Sequence, residues 1–577
     1  MREIVHQADF CVVGGGLSGL CAAIAAARHG AKTVLMHNRP MPGGNASSEI
    51  RMCICGARGE NLKETGILEE MQLENLYRNP NLNYSLWDSV MYGKAMSEPN
   101  LTVLLNCTCT DAEMDGDTIK SLTGWQDIAE THYIVKADYF ADCSGDGILA
   151  PLTGADFRMG REAQSEHGES LARPEEADEK TMGMSCIMQL RDTGRPQKFI
   201  PPVWAYKYPT EEGLENKLHT TVTNFWWLEI GGENDAIHDS EEIKHELLKI
   251  ALGIWDHMKN YGDHGVENYT LEWLGFLPGK RESRRYIGDH ILTQNDIEAG
   301  GEFSDIVGYG GWTMDDHFPE GFYFKGGKRT NRSTPTPSPY GIPYRCLYSR
   351  NISNLFFAGR NISATHIAMS STRVMGTCAI LGQAVGTAAA IAAREGVTPR
   401  GVYENYITEL QETLMEDDCY LPGKKIQIAD FLCRARITSN QNPADALING
   451  HDRVIGVEEN AWVCHAGDWV VFEFEKEVKI SKLRIVFDSD LCDSKRMPHI
   501  WPLGEHLQGL PKCMVKSYTV DIRQNGVWKS LIYETDNYQR NVVHLVNDTV
   551  DAVRLTVHES YGAEEFRVFS LYIEEQK

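Results

Sequence analysis

The sequence predicts an α/β domain that is interrupted by an α+β insertion and followed by an all-β sandwich. Three observations carry this prediction: a strand, glycine loop and helix at the start of the chain, a Gly- and Ala-rich block near residue 380, and short alternating strands after residue 425. A chain of 577 residues is too long for one core. We therefore expect residues 1–158 and 344–424 to form the first domain, 159–343 the insertion and 425–577 the sandwich.

The first observation is an apolar strand that runs directly into Gly14-x-Gly16-x-x-Gly19 and then into an alanine-rich helix. In such a unit the glycines allow a tight turn, a close approach of a pyrophosphate and close helix packing, with phosphates at the helix N-terminus. Residues 21–29 read as the helix and 32–36 as the next strand. The pattern predicts a Rossmann-type dinucleotide site, and the alternative is a structural glycine turn.

The end of the second strand departs from the usual pattern for this unit. An acidic residue normally holds the ribose hydroxyls there, whereas this chain has His37 and Asn38. Either side chain is able to hydrogen-bond a ribose. The departure affects how the adenosine is held and leaves the phosphate argument intact.

Composition excludes several classes of partner. A net charge of −25 disfavours nucleic acids and anionic membranes, because both require clustered cations. No run approaches the roughly 20 apolar residues of a membrane span. The first strand begins by Asp9, which leaves no room for a signal peptide, so we expect a cytoplasmic protein.

The fifteen cysteines are read as structural thiols. Cys11 and Cys21 fall in a predicted strand and helix, where buried thiols are more usual than disulfides. Cys53-x-Cys55 and Cys107-x-Cys109 lack a second half with metal-ligand spacing. The sequence therefore predicts no metal site, with a redox or metal centre as the less favoured alternative.

The second glycine-rich block begins with a strand that breaks at Gly359 and continues into a helix containing Gly376, Gly382 and Gly386. Each glycine costs a helix about 1 kcal/mol relative to alanine. Three in one helix need a packing reason, and a close approach to a sheet or a cofactor would supply it.

At this point the chain resembles FAD-dependent oxidoreductases of the glutathione-reductase-like type, which are related to the fumarate reductase flavoproteins. More narrowly, it resembles a bacterial family often found beside polysaccharide-degradation genes. The matching segments cover about residues 8 to 400 and are 43–51, 141–147, 278–285, 310–317 and 359–390.

The resemblance implies one bound FAD and a set of residues around it. The helix beginning near Arg373 would point its N-terminus at the pyrimidine edge of the flavin, where reduced flavin carries negative charge. The alternative for each residue is a turn or core role. With the loop residues and with His37 and Asn38 from the motif itself, the candidate cofactor-binding residues are Gly14, Gly16, Leu17, Ser18, Gly19, His37, Asn38, Arg39, Gly43, Gly44, Asn45, Ala46, Ser47, Gly145, Asp146, Gly359, Arg360, Arg373, Gly376 and Thr377.

The insertion has the character of a substrate-covering cap. Residues 224–230 read as a strand and 241–260 as an amphipathic helix. Some of its aromatic residues are candidates to stack on sugar rings, although burial in the cap is the more usual role. These residues are Trp226, Trp227, Trp312, Phe322 and Tyr323.

The segment 312–317 supplies the first candidate for proton transfer. His317 would take the proton of a hydroxyl while the attached carbon gives its hydride to flavin N5, with Asp315 or Asp316 orienting the ring. His366, before the flavin-facing helix, competes for the same role. Both histidines have a structural alternative.

Three arginines of the insertion, Arg281, Arg284 and Arg285, are candidates to bind a substrate carboxylate. We single out Arg284 together with the two histidines and Asp315 as catalytic candidates. Structural salt bridges are the alternative for all three arginines.

The C-terminal region shows short strands at 469–474, 482–487, 518–523, 552–557 and 568–573. With the turn at 442–450, it resembles discoidin or coagulation-factor type C modules, which are galactose-binding-like jelly rolls. Such modules often bind glycans at loop ends. Packing against another part of the protein is an equal alternative, because a fold does not establish a site.

Together these observations predict an FAD-dependent oxidoreductase that transfers a hydride between flavin N5 and a small polar substrate, with a sugar or sugar acid as the candidate. The alternatives are a flavin monooxygenase, disfavoured because no second nicotinamide motif is seen, and a glycan-binding protein with structural FAD. We expect an unidentified electron acceptor and no nucleic-acid or membrane partner, and a homo-oligomer is compatible with the sequence.

Overall fold

The computed structural model describes residues 2–214, 217, 219–220, 224–326, 329–492, 494–498, 500–503 and 508–576. Two compact units divide the chain. The first contains Met1–Ala57, Asn83–Leu410 and Arg496–His506, and the second contains Arg58–Leu82, Gln411–Lys495 and Leu507–Lys577.

This division differs from the predicted boundaries in three segments, residues 58–82, 411–424 and 496–506. Residues 58–82 belong to the second unit, where Glu69 forms a buried ion pair with Lys495 at 3.1 Å and Thr65 accepts a hydrogen bond from Arg453 at 2.9 Å. Residues 496–506 belong to the first unit, where the backbone of Trp501 pairs with Leu190 and Asp192. Contacts between residues so far apart in sequence leave no local signal.

The helices lie mainly in the first unit. In chain order they are α1 (Leu17–Arg28), α2 (Ile67–Arg78), α3 (Tyr84–Met96), α4 (Leu149–Thr153), α5 (Gln164–His167), α6 (Ser240–Asn260), α7 (Gln294–Glu298), α8 (His366–Thr372), α9 (Met375–Glu395), α10 (Pro399–Glu416) and α11 (Asp430–Cys433).

The strands of the first unit are β1 (Arg2–Val13), β2 (Thr33–Met36), β3 (Leu101–Leu104), β4 (Cys107–Asp115), β5 (Thr118–Gln126), β6 (Thr131–Asp142), β7 (Phe157–Arg158), β8 (Met184–Ser185), β9 (Met188–Asp192), β10 (Glu229–Ile230), β11 (Tyr269–Leu274), β12 (Gly279–Lys280), β13 (Arg285–Tyr286), β14 (Ile306–Gly310), β15 (Met314–His317), β16 (Asn331–Thr334), β17 (Tyr340–Pro343) and β18 (Leu355–Phe357). Those of the second unit are β19 (Arg436–Ser439), β20 (Trp462–Cys464), β21 (Trp469–Phe487), β22 (Val515–Gln524), β23 (Val527–Glu534), β24 (Asn541–Ser560) and β25 (Phe566–Glu575).

A seven-stranded sheet organises the first unit. Its order is β3-β2-β1-β6-β5-β4, and β18 joins β6 beyond the end of β5. Strands β1, β2, β6 and β18 run parallel, and their last residues, Val13, Met36, Asp142 and Phe357, lie in register. The loops that follow these four strands therefore meet at one edge of the sheet, which is where α/β proteins bind their ligands.

The glycines of α9 are explained by helix packing, whereas the sequence suggested a close approach to a sheet or a cofactor. A Cβ atom on Gly382 would lie 2.0 Å from the carbonyl oxygen of Ser18, and one on Gly386 would lie 2.0 Å from that of Ala22. Both contacted residues are in α1. The glycines allow two helices to pack backbone to backbone, rather than the helix against a sheet or a cofactor.

The predicted cap helix is present as α6, with Ile243, Leu247 and Ile250 buried as expected. The strand predicted at 224–230 is shorter, because only Glu229 and Ile230 form β10. Phe225 adopts a positive φ of 60°, which turns the chain immediately before the two tryptophans. Alternating polarity does not reveal such a turn.

The second unit confirms the all-β prediction. Its sheet has the order β20-β25-β21-β24-β22-β23, with β19 on β21, and the strand pairs are antiparallel. The strands predicted at 469–474 and 482–487 are one continuous strand, β21. Register shifts after Glu473 and Ile480 interrupt its pairing with β24, which explains the break in the alternating pattern.

Helix α9 is long and apolar enough to cross a membrane by length and composition. However, 94% of its most apolar window is buried inside the protein. Its packing against α1 and against strands β14, β1, β18 and β6 accounts for that burial, which is typical of a core helix.

We expect Gly382→Ala and Gly386→Ala to lower the melting temperature, because the added Cβ overlaps the backbone of α1 and overpacking costs about 1–3 kcal/mol. Gly93→Ala is the matched control, since Gly93 is an exposed helical glycine whose Cβ would meet no atom within 4 Å. That variant gains about 0.5–1 kcal/mol. Equal melting temperatures for the three variants would contradict the packing assignment.

Candidate active site

The loop after β1 has the geometry that the glycine motif predicts. Gly14 has a φ of 101°, and a Cβ there would lie 2.5 Å from the backbone of Cys143. A Cβ on Gly16 meets no atom within 4 Å, so this backbone faces open space. Helix α1 begins directly after Gly16 without a side-chain cap. An anion is thus able to approach both the loop and the helix N-terminus.

His37 takes a role in the loop itself. Its Nδ1 accepts a hydrogen bond from the N–H of Gly15 at 2.9 Å. Burial, aided by the charge of Arg39, lowers the pKa of His37 to about 3, so the ring is neutral. The histidine that replaces the usual acid therefore braces the glycine loop, and its Nδ1 is not available to a ribose.

Cationic side chains gather around the same loop. Asp146 lies 2.7 Å from Arg360 Nη2 and 2.8 Å from Lys280 Nζ. Burial opposes ionisation of Asp146, but these two cations lower its pKa. Arg360 also donates to the carbonyl oxygen of Gly145 at 2.9 Å. Together with Arg39, these groups leave an excess of positive charge beside the glycine loop.

A cavity of about 640 Å³ joins the glycine loop to the start of α9. The predicted cofactor residues that line it are Gly14, Gly16, Leu17, Ser18, His37, Asn38, Arg39, Gly43, Gly44, Asn45, Gly145, Asp146, Gly359, Arg360 and Arg373.

The other predicted cofactor residues lie behind the cavity wall. Gly19 packs on the carbonyl oxygen of Gly14, and the hydroxyl of Ser47 donates a hydrogen bond to the carbonyl oxygen of Gly44. Ala46 accepts a hydrogen bond from Trp87, and the N–H of Gly376 donates to the carbonyl oxygen of Cys55. Thr377, in the first turn of α9, is buried. These residues do not line the cavity themselves, but they support the residues that do.

The residues present fit a flavin dinucleotide. The open backbone at Gly16 and the surrounding cations suit a pyrophosphate. At the other end, α9 begins at Met375 with no side-chain cap, and both Met375 and Cys378 line the cavity. Arg373 Nε has no hydrogen-bond partner among the described residues. When bound, the flavin supplies a two-electron acceptor at this end.

A chain of alternating charges lies beside the start of α9. Arg281 Nη1 is 2.9 Å from Glu229, and His317 Nδ1 is 2.8 Å from the same carboxylate. His317 Nε2 is 3.1 Å from Asp315, which also lies 3.4 Å from Arg373 Nη2. We call this set the ion chain, and its members are Arg281, Glu229, His317, Asp315 and Arg373.

His317 is the buried centre of the ion chain. Both of its ring nitrogens already contact carboxylates, and its side chain does not line the cavity. Burial works against a charged imidazole, but Glu229 and Asp315 outweigh it and raise the pKa of His317. These contacts favour the charged form of the ring and occupy both of its nitrogens, so His317 positions its neighbours and is not placed to contact a substrate directly.

Asp315 is the carboxylate of the ion chain that lines the cavity, where both terminal arginines also lie. Burial opposes ionisation, but His317 and Arg373 lower the pKa of Asp315 well below its usual range. Asn331 Nδ2 donates to Asp315 Oδ1 at 2.6 Å. A carboxylate has about four acceptor positions, so Asp315 retains capacity for a substrate hydroxyl.

His366 lies outside this cavity. Its Nδ1 is 2.9 Å from Glu282 and its Nε2 is 3.1 Å from Asp316, while its N–H donates to Glu162 at 2.8 Å. Burial is outweighed by these carboxylates, which raise the pKa of His366 to about 10. These contacts place His366 among carboxylates and away from the cavity, a position that favours the structural interpretation.

The three arginines of the insertion have different surroundings. Arg284 does not line the cavity; its Nη1 is 3.4 Å from the carbonyl oxygen of Asp146. Arg285 is fully buried among Glu282, Glu162 and backbone carbonyls. Arg281 lines the cavity. Of the three, Arg281 is therefore the one placed near a ligand.

The five aromatic candidates also differ in their positions relative to the cavity. Trp226 and Trp312 line the cavity, and the ring of Trp226 meets that of His317 edge-on at 5.7 Å. Trp227 and Phe322 are buried in the cap core, and Tyr323 is exposed. Two of the five are placed to contact a substrate.

Six of the cysteines that were read as structural line the cavity as well, namely Cys53, Cys55, Cys107, Cys109, Cys143 and Cys378. Cys53 Sγ and Cys55 Sγ are 3.8 Å apart. The hydrogen bond from Cys53 lowers the pKa of Cys55, and Arg496 and Arg373 add to this effect against burial. The Cys-x-Cys spacing was visible in the sequence, but its position beside the start of α9 was not.

The most informative residue that sequence reasoning missed is Glu229. It is fully buried and holds both Arg281 and His317. It is separated from His317 by 88 residues, and it is the last residue but one of a segment that was read as an ordinary strand. The available signal was an acidic residue in a largely apolar strand.

We predict that His366 makes stability depend on pH. Its folded pKa of about 10 exceeds the unfolded value of about 6.5, so its stabilising effect is complete below about pH 6.5 and is lost as pH rises toward 10. His366→Gln should be less stable than the wild type by about 3–5 kcal/mol at pH 6.5, and the difference should narrow by pH 9.5. Melting temperatures at both values measure it, with exposed His245→Gln as the control. A constant difference across this range would show the assignment to be wrong.

Structural comparison finds several carbohydrate-binding modules. A family 32 module from Streptococcus pneumoniae EndoD is 13% identical and covers 26% of this chain and 100% of that module, with a TM-score of 0.21. The family 32 module of C. perfringens NanJ, in complex with galactose, is 12% identical and covers 25% of this chain and 97% of that module, with a TM-score of 0.19. Chitosan-binding module 1 from a Paenibacillus chitosanase/glucanase is 9% identical and covers 25% of this chain and 98% of that module, with a TM-score of 0.19. At these scores no conclusion about a ligand of this chain follows.

The family comparison is more extensive. A search of curated proteins finds no significant match. A family model described as FAD dependent oxidoreductase matches residues 9–414, which is more than two thirds of the chain. The match includes the glycine loop, the ion chain and α9. The chain therefore belongs to the FAD-dependent oxidoreductase family.

Proposed function

We propose that this FAD-dependent oxidoreductase transfers a hydride between flavin N5 and a hydroxyl-bearing carbon of a small polar substrate, a sugar or sugar acid. The observation that carries the proposal is the position of Asp315. It is a cavity-lining carboxylate near the start of α9, and its orientation is fixed by His317, Asn331 and Arg373.

The surrounding side chains support this substrate class. Trp226 and Trp312 offer flat apolar faces of the kind that pack on sugar rings. Arg373 has an unused Nε donor, which suits a substrate carboxylate or hydroxyl. Arg281 is largely committed to Glu229 and to the carbonyl oxygens of Gly183 and Trp226, so it contributes charge more than new hydrogen bonds.

The residues divide the proton chemistry between them. Asp315 accepts the hydrogen bond of the substrate hydroxyl and takes its proton as the carbonyl forms. Its low pKa makes it a weak base, so this transfer is late, when hydride loss has made the hydroxyl acidic. His317 is a positioning residue whose charge keeps Asp315 ionised. Because its pKa is raised, we expect no activity change centred near pH 6.5.

Anaerobic flavin photometry against monosaccharides, uronic acids and glycosides tests the proposal. Bleaching of the flavin by a member of this panel is the expected result. Bleaching by NADH or NADPH alone would instead favour a monooxygenase, and no bleaching by any compound would favour a binding protein with structural FAD. Either outcome would contradict the proposal.

Asp315→Asn should retain its flavin and slow substrate-dependent flavin reduction by a factor of about 10² to 10⁴, because a positioned base contributes that much. Stopped-flow absorbance with the substrate from the panel measures it. Asp316→Asn is the matched control, since the neighbouring carboxylate faces His366. This control should lose thermal stability and keep the reduction rate. Wild-type reduction by Asp315→Asn, or equal losses in both variants, would contradict the assignment.

A further inference from the structure

A histidine cluster in the insertion lies apart from the active-site residues. Ligand atoms of Glu211, His219, His257 and His264 all lie within 4.8 Å of one another. The two Glu211 oxygens approach the imidazoles from one side, at 3.1 Å from His257 Nε2, 3.4 Å from His219 Nε2 and 3.5 Å from His264 Nε2. Three imidazoles thus surround one carboxylate.

The three rings are close to one another as well. Their centroids are 4.7 Å apart for His257 and His264, 4.9 Å for His219 and His264, and 5.3 Å for His219 and His257. One carboxylate carries a single negative charge, so it cannot balance three protonated imidazoles. It also cannot accept a well-aligned hydrogen bond from all three rings. A divalent cation at the centre would contact all four side chains favourably.

The second contact of His257 fixes its orientation for such a cation. Its Nδ1 lies 2.7 Å from the carbonyl oxygen of Tyr208, to which it donates, so the Nε2 lone pair is directed into the cluster. Metal-bound histidines usually make this kind of outer hydrogen bond. His264 Nε2 also lies 3.1 Å from the carbonyl oxygen of Tyr261, a contact that it would exchange for the metal.

We propose that Glu211, His219, His257 and His264 bind one Zn²⁺ ion. Zn²⁺ accepts nitrogen and carboxylate ligands at about 2.0–2.2 Å in a tetrahedron, which places ligand atoms about 3.3 Å apart. The carboxylate-to-imidazole separations of 3.1 to 3.5 Å already match this spacing. Four protein ligands leave no position for water, which makes the site structural rather than catalytic.

The location of the cluster indicates what the metal would stabilise. Ser240 and Glu241, at the start of α6, line the flavin cavity, whereas His257 lies in the last turn of the same helix. At 1.5 Å per residue, this places the metal about 24 Å away along the helix axis. Glu211 and His219 come from a segment outside the named helices and strands, seven residues before Trp226. The ion would fix Glu211 and His219 to the end of α6.

Metal analysis of tag-free protein from zinc-supplemented medium tests the proposal. We expect about one zinc per chain, with an X-ray absorption shell of nitrogen and oxygen at about 2.0–2.1 Å. His219→Ala and His264→Ala should each lower zinc affinity at least about tenfold. His245→Ala, an exposed histidine on α6, is the matched control and should keep its zinc. The flavin content should be equal in all four proteins.

A second measurement uses the wild-type protein, so that the proposal can be tested even if the variants fail to fold. Removal of zinc from the wild-type protein with a chelator should expose residues 208–214 to limited proteolysis, and added zinc should restore protection. The proposal is overturned if the wild-type protein neither carries nor takes up zinc, if its zinc shell contains sulfur, or if the variants retain zinc as the His245→Ala control does. Because flavin content is measured separately, loss of the zinc proposal leaves the proposed function intact.

Discussion

The ion chain is the constraint on which the active site depends. Glu229 and His317 are buried and the Arg281 side chain is only 10% exposed, so there is little water to screen these charges and each is stable only in the presence of its neighbours. Removing one member of a buried pair costs about 3–5 kcal/mol, because the other charge is left uncompensated. The arrangement therefore tolerates few alternatives. It fixes Asp315 at the cavity surface with a lowered pKa, and the chemistry we propose follows from that position.

The parallel sheet provides the complementary half of the site. Because four strand ends lie in register, their loops converge on one cavity, and the backbone-to-backbone packing of α9 on α1 joins two segments far apart in sequence. Gly382 and Gly386 make that approach sterically possible. The start of α9 and the glycine loop after β1 are thereby brought to the same cavity, one near each end of the space that a flavin dinucleotide needs.

Much of this arrangement could be predicted from the sequence wherever the signal is local. The glycine motif, helix α6 and the proximity of Asp315 and His317 each depend on residues close in the chain. The partner of His317 could not be found in this way, because Glu229 is 88 residues away and its burial depends on tertiary packing. The same reason explains the turn at Phe225, the difference between the predicted domains and the observed units at residues 58–82, 411–424 and 496–506, and the convergence of three histidines on Glu211. His317 and His366 looked equivalent in the sequence, and only their surroundings separate them.

The protonation state of His317 tests the account most directly. Selective ¹⁵N-histidine NMR of the flavin-loaded protein, with the signal assigned by its loss in His317→Gln, distinguishes an imidazolium from a neutral ring. We predict that, in a pH titration, His317 loses its second ring proton only above pH 6.5, because Glu229 and Asp315 raise its pKa. A transition at or below pH 6.5 would contradict this prediction, since His317 would then lack the charge that lowers the pKa of Asp315.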